Sequence, residues 1–199
     1  MLYLASQSPR RQALLRQLGR RFRTVRTAHR ERIDPRRTPS WNAMRNAHGK
    51  ASKARLPRGA SGLVIGADTF LYFQGRVLGK PSSMRQARAF LRALSGRSHW
   101  VYTGVCVREA RTGACRCTYD KTRVSFKPLT EAAITRLFRR VPPLDKAGGY
   151  AIQEDRGELI AGIRGAHSTV VGLPMERLQT VLARWPKAGR KTNHHGISP

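Results

Sequence analysis

The run Leu63-Val64-Ile65, followed at once by Gly66-Ala67-Asp68-Thr69, constrains this chain more than any other stretch. Consecutive apolar residues read as a buried strand, and this one delivers a carboxylate to a turn. Twelve residues further on stands Gly79-Lys80-Pro81, and near the N-terminus a second strand, Leu2-Tyr3-Leu4-Ala5, runs into Ser8-Pro9-Arg10-Arg11. An acid flanked by cations on separate loops is what a phosphate-processing site needs. The rest of the chain is expected to build a cleft around Asp68 or to supply charge to it.

The N-terminal stretch is informative by itself. Ser8 with Pro9 gives a helix N-cap followed by proline at the first helical position, and Ala13, Leu14, Leu15 and Leu18 supply the buried face before Gly19. Free N–H groups at the start of such a helix make an anion cradle, to which Arg10 and Arg11 add charge. A solvated helix start is the competing reading of the same residues.

Helical spacing recurs from Trp41 to Lys53, with Lys50 near the end, and again through Ala87, Phe90, Leu91 and Leu94 after Ser82-Ser83. Phe70 to Phe73 and Val77-Leu78 flank Gln74-Gly75 as a hairpin that brings Lys80 back toward Asp68. His99 to Val107 and Arg116 to Phe126 form two long strands around a turn at Thr112-Gly113, so the sheet should be mixed. His99 reads as a strand-edge residue. A helix capped at Thr130 and stopped by Pro142-Pro143 follows, then a glycine-containing loop from Leu144 to Gln153 whose backbone approaches something closely. Gly157 to Ile163 reads as a strand, 164–169 as a loop, and the last helix ends near Trp185.

Composition limits the function classes. With 199 residues and 40% hydrophobic content the chain can bury a core. No apolar run approaches the ~20 residues of a membrane span, so a soluble, cytoplasmic protein is expected. Cys106, Cys115 and Cys117 lack zinc-ligand spacing and are read as reduced thiols in strands. The formal net charge is +28, with 39 Lys and Arg against 11 Asp and Glu. Such a field attracts any polyanion, but the arginines are spread along the chain and aromatics are few. The reading is a solvated basic surface that binds nucleic acid only non-specifically, rather than a dedicated groove.

Two of the scarce acids, Glu31 and Asp68, together with Arg10, Arg11, Lys50 and Lys80 make a polyphosphate site: cations neutralise a triphosphate, and carboxylates hold Mg²⁺ or activate water. No GxxxxGK[ST], HExxH or GxSxG motif is present, which removes three common alternatives.

In order along the chain, Leu4-Ala5-Ser6-Gln7-Ser8-Pro9-Arg10-Arg11, Gly66-Ala67-Asp68-Thr69, Gly79-Lys80-Pro81, Leu94-Ser95-Gly96, Asp145-Lys146-Ala147-Gly148 with Tyr150 and Ile152-Gln153, and Val171-Gly172-Leu173-Pro174 resemble the motifs of the Maf family of nucleoside triphosphate pyrophosphatases. The resemblance runs over residues 2 to 183. It implies an elongated α/β fold with a mixed sheet, flanking helices and a central cleft, similar to the inosine triphosphate pyrophosphatases. Residues 1–185 would be one domain with two lobes around the cleft, and 186–199 a basic, disordered tail.

The implied activity is hydrolysis of a nucleoside triphosphate to the monophosphate and pyrophosphate with a divalent cation, Mg²⁺ or Mn²⁺. Asp68 matches the family's catalytic acid, the proton acceptor that activates water against the α-phosphorus. Glu31 would join Asp68 at the metal, and Ser8, Arg11, Lys50 and Lys80 would bind phosphates. Arg10, Thr69 and Gln153 match the members that prefer dTTP and UTP; a glutamine amide offers the donor and acceptor that the pyrimidine imide edge complements. The resemblance also implies a homodimer. It leaves an alternative from another class, a basic nucleotide- or nucleic-acid-binding protein in septum control without catalysis. Three positions depart from the common pattern: Gly49 replaces an acid before Lys50, Gln153 is followed by Glu154-Asp155, and Thr169 stands where asparagine is frequent.

Overall fold

The computed structural model describes residues 1–185; the expectation of a disordered tail at 186–199 lies outside the described residues. A seven-stranded mixed sheet organises the chain. Its strands are β1 (Leu2–Leu4), β2 (Phe22–Thr24), β3 (Leu63–Phe73), β4 (Arg76–Leu78), β5 (Ser98–Glu109), β6 (Cys115–Phe126) and β7 (Ile160–Arg164). The order is β2-β1-β3-β5-β6-β7, with β4 added to β3. β1 lies parallel to β2 and β3, whereas β3, β5, β6 and β7 form antiparallel pairs, so the expected mixed sheet is present.

The helices are α1 (Pro9–Arg16), α2 (Pro39–Ser52), α3 (Met84–Leu94), α4 (Glu131–Arg140), α5 (His167–Val171) and α6 (Met175–Ala183). Thr38, Ser83 and Thr130 cap α2, α3 and α4 by accepting from the N–H of Trp41, Gln86 and Ala133. Among the described residues, no helix is long and apolar enough to cross a membrane.

Alternation along β3 divides the molecule into two layers. Val64 faces α2 and packs with Tyr3, Ala5, Ala47, Ala51 and Cys106. Ile65 and Ala67 face the other way, into a cluster with Leu4, Leu15, Val105, Val107, Leu173 and Leu178. A fully buried leucine or isoleucine of this kind contributes about 1.5–3 kcal/mol. Gly66 and Gly104 let α2 lie directly on the sheet. A Cβ at Gly66 would stand 2.2 Å from the Ala47 carbonyl oxygen, and one at Gly104 2.3 Å from that of Ala43.

One gap in pairing creates the cleft. β1 covers Leu63 to Ile65, and β4 covers Leu71 to Phe73, on the edge of β3 that β5 does not occupy. Among the described residues, no strand lies beside the intervening edge of β3, from Gly66 to Phe70. Residues from both faces of β3 therefore reach one opening, at the point where β1 ends and α1 begins. This corrects the turn expected at Asp68, which lies in the middle of an 11-residue strand. The turn comes later: Gln74 and Gly75, with φ of 47° and 78°, close a two-residue hairpin to β4.

Three further expectations are corrected. His99 is fully buried and shares a 2.7 Å hydrogen bond with the Tyr150 hydroxyl, because its strand face is covered by Phe126 and Tyr150. Residues 167–171 form a short helix rather than a loop. Cys106 and Cys117 are joined by a disulfide, with Cα atoms 4.0 Å apart, and only Cys115 is a free thiol. The two are direct partners across β5 and β6, a register that sequence spacing does not reveal.

Candidate active site

A cavity of about 630 Å³ opens along the uncovered edge of β3, a volume suited to a nucleotide-sized ligand. Ser8, Arg10, Arg11, Glu31, Lys50, Asp68, Thr69, Lys80 and Gln153 all line it. The residues singled out from sequence thus line one cavity.

The centre is built by α2 and β3. Lys50, in the last turn of α2, extends its ammonium to Glu31 Oε1 at 2.6 Å, Asp68 Oδ1 at 2.7 Å and the Ala67 carbonyl at 3.2 Å. An ammonium has three N–H groups, so its donors are directed at protein acceptors. Lys50, expected to bind phosphate, here bridges the two carboxylates. Asn46, one turn earlier on the same face of α2, donates to Asp68 Oδ2 at 2.9 Å.

Asn46 also fixes the loop that carries Glu31. Its amide donates to the Arg32 carbonyl, and its oxygen accepts from the Arg32 N–H and contacts the His29 ring. Asn42 ties Asp34 to α2 in the same way, accepting from the Asp34 N–H and donating to its carbonyl. Asp34 itself caps this loop with Arg36 and does not line the cavity. Gly49 belongs to this packing, since a Cβ there would lie 2.3 Å from the His29 ring. A side chain at this position would require the His29 ring to shift.

Burial pushes the Asp68 carboxyl toward protonation. The Lys50 charge and hydrogen bond, the Arg11 charge and the Asn46 hydrogen bond outweigh it, leaving the pKa below the ordinary carboxylate value. Asp68 is therefore ionised at neutral pH while only 4% exposed.

Arg11 is also committed to the protein. Its Nε donates to the Gly172 carbonyl at 2.7 Å, Nη1 to Ser6 Oγ at 3.3 Å and Nη2 to Thr69 Oγ1 at 3.1 Å. A guanidinium has five N–H groups, so the cradle expected at Arg11 keeps only part of its donor set. Burial lowers its pKa against the opposing pull of Asp68 and Glu31, but a guanidinium remains charged. Ser8 occupies the N-cap of α1 without a side-chain capping bond, and Pro9 follows it. Among the described residues, Arg10 and Lys80 form no ion pair, which leaves both charges for a ligand.

The loop after α4 forms the opposite rim. Asp145, Lys146, Tyr150 and Gln153 line the cavity, and the Gly148 N–H donates to the Gly79 carbonyl. Gly148 has φ of 69°, and a Cβ there would meet Leu71 at 2.4 Å, so the close approach expected for this loop is to the β3–β4 hairpin. Asp155 is structural, accepting from the N–H groups of Glu158, Leu159 and Ile160 at the entry to β7. Sequence reasoning missed Asn46 and Asp155; the first carried a signal, its spacing of four from Lys50.

The arrangement can hold a water against an ionised carboxylate and neutralise a polyanion beside it. Comparison with known proteins agrees with that chemistry. A protein 40% identical over 184 residues, covering 92% of this chain and 96% of its own length, is the dTTP/UTP pyrophosphatase of Pelotomaculum thermopropionicum. Proteins of the same name from Moorella thermoacetica and Gloeobacter violaceus are 43% identical over 188 residues and 40% over 186, covering 92% and 94% of this chain and 93% and 96% of their own. The sequence model for Maf-like proteins matches residues 1–185, and the chain belongs to the Maf family.

Proposed function

We propose that this protein hydrolyses nucleoside triphosphates, dTTP and UTP before others, to the nucleoside monophosphate and pyrophosphate. The observation that carries the reading is the Glu31, Lys50 and Asp68 cluster, two carboxylates bridged by one buried ammonium at the wall of a nucleotide-sized cavity. The names of the relatives support the same activity and base preference.

In this reading the phosphates lie against Ser8, the N-terminus of α1, Lys80 and the remaining N–H groups of Arg11. Asp68, anchored by Lys50 and Asn46, orients a water in line with the α-phosphorus. The water oxygen bonds to that phosphorus, the bond to the α–β bridging oxygen breaks, and Asp68 accepts the water's proton. The bridging oxygen leaves with pyrophosphate. Arg10, Thr69 and Gln153 contact the base.

The donor set fits a hard divalent cation, Mg²⁺ or Mn²⁺, of the kind bound by one or two carboxylates and completed by substrate phosphates. Among the described residues Glu31 keeps one oxygen without a partner, and it is 47% exposed, while Asp68 closes the other side of Lys50. When bound, such a cation would be held by these two residues and would neutralise charge on the triphosphate. Residues 1–185 would act as one catalytic unit, as a homodimer in the cytoplasm, with nucleic acid attracted only by net charge.

Pyrophosphate release from each nucleoside triphosphate with Mg²⁺ or Mn²⁺ tests the reading. Release fastest from UTP and dTTP, and nearly abolished in an Asp68→Asn variant that still melts cooperatively, is the expected result. Normal turnover in that variant would remove Asp68 from the mechanism. Tight RNA binding with a steep salt dependence and no turnover would favour the non-catalytic alternative.

A further inference from the structure

Thr69 stands beside Asp68 but on the opposite face of β3, and its hydroxyl is the end of a polar row that crosses three strands. Thr69, Thr103 and Asp120 are direct partners in register on β3, β5 and β6. Thr103 is fully buried and lies 2.7 Å from the Thr169 carbonyl oxygen and 3.0 Å from Thr69 Oγ1. Thr169 is itself held, its hydroxyl donating to Asp120 Oδ2. Gly172, with φ of 118°, keeps the space above Thr69 open; a Cβ there would approach Thr69 Oγ1 to 3.2 Å.

Proton counting fixes the direction of every bond in this row. A carbonyl oxygen only accepts, so the proton between Thr103 and Thr169 is the one that Thr103 carries. Thr103 then has none left for Thr69, and the Thr69 hydroxyl must supply the proton of the 3.0 Å contact. Arg11 Nη2 donates to Thr69 Oγ1 at 3.1 Å and takes one of its lone pairs. What Thr69 offers to the cavity is a lone pair without a proton.

We infer that Thr103 is a positioning residue for base selection, locking the Thr69 hydroxyl as an acceptor so that the cavity takes bases presenting an N–H and rejects those presenting a bare ring nitrogen. The imide N–H of uracil or thymine satisfies that lone pair. The corresponding ring nitrogen of cytosine is an acceptor, so it sets lone pair against lone pair. Thr169 belongs to the same device through its carbonyl. Asparagine in its place would keep the carbonyl, so this departure from the family pattern leaves the row intact.

The inference rests on the pyrophosphatase reading for its substrate, but its test does not require turnover. Affinities for UMP and CMP, measured by titration calorimetry, and kcat/KM for UTP and CTP are compared in the unaltered protein, Thr103→Ser and Thr103→Val. Ser keeps the donor to Thr169 and should hold the uracil-to-cytosine ratio within about twofold. Val frees the Thr69 proton to turn toward the ligand, so the ratio should fall about tenfold, the scale of one hydrogen bond. Most of that fall should come from a gain for cytosine, which a merely damaged site would not show.

If Thr103→Val loses its cooperative melt, Thr103→Cys keeps a weak donor at similar volume and should show a smaller fall in the same direction. An unchanged ratio in the folded Val or Cys variant overturns the inference. So does equal binding of UMP and CMP by the unaltered protein. A uracil preference that collapses in Val without any pyrophosphate release would uphold the lock and defeat the pyrophosphatase reading.

Discussion

Replacing Lys50 by methionine removes the cation between Glu31 and Asp68 while keeping the length of the side chain. Asp68 would then be a carboxylate 4% exposed, with Asn46 as its remaining close donor. Breaking a buried ion pair by removing one partner costs about 3–5 kcal/mol. For a domain of this size that lowers Tm by roughly 10 °C.

The sign of the pH dependence follows from the causes of the Asp68 shift. In the unaltered protein its pKa lies below the ordinary value, so Asp68 contributes stability above the unfolded-state pKa, lost as pH falls through the folded one. Burial is the largest single influence on this group and acts upward. Without Lys50 it dominates, the folded pKa rises above the unfolded one, and Asp68 destabilises the fold at neutral pH.

The variant should therefore recover stability relative to the unaltered protein as pH is lowered from 7 toward 4. The acid limb of its pH–rate profile should also move to higher pH. Thermal melts across that range, with a pH–rate profile of UTP hydrolysis, measure both. A constant difference in Tm at all pH values, with an unmoved acid limb, would refute the ion-pair argument.

His99 should stay neutral until pH falls toward about 4, because burial lowers its pKa to about 4. The unfolded chain takes up this proton near pH 6.5, so roughly 3 kcal/mol of stability should be lost between there and pH 4; a histidine resonance titrating at pH 6.5 in the folded protein would contradict this. Gly49→Asp, which restores the acid common before Lys50, should destabilise by about 1–3 kcal/mol through collision with His29, and His29→Ala should relieve much of that loss, as measured by denaturant unfolding. A thiol reagent should find one reactive cysteine, Cys115, in the native protein and three after reduction and unfolding; three at once in the native state would rule out the Cys106–Cys117 bond.

The cavity was legible because its residues sit beside strong local signals. Asp68 follows an apolar strand, Ser8 and Pro9 open a helix, and Lys80 follows a two-residue hairpin, so each could be placed on an element before the elements were assembled. The lengths of β3 and α5 were less legible. Gly66 resembles a turn residue, but its cause is the backbone of α2 lying against it, a contact with residues nearly 20 positions away.

What the sequence could not show is donor direction. Lys50 and Arg11 are cations in a basic chain, and only the distances reveal that N–H groups of theirs serve Glu31, Asp68, Thr69 and Gly172. Thr103 and Asp120 carry no motif. Strand register brings them beside Thr69, as it pairs Cys106 with Cys117 on the other face. His99, between Ser98 and Trp100, reads as an edge residue because its aromatic cover comes from Phe126 and Tyr150, far along the chain.

The central claim is that water held by Asp68 attacks the α-phosphorus. Hydrolysis of UTP in water enriched in heavy oxygen, followed by mass spectrometry of both products, tests it directly. The account predicts the label on the phosphate of UMP and none in the pyrophosphate released. Label in pyrophosphate, or release of labelled inorganic phosphate with UDP, would contradict it.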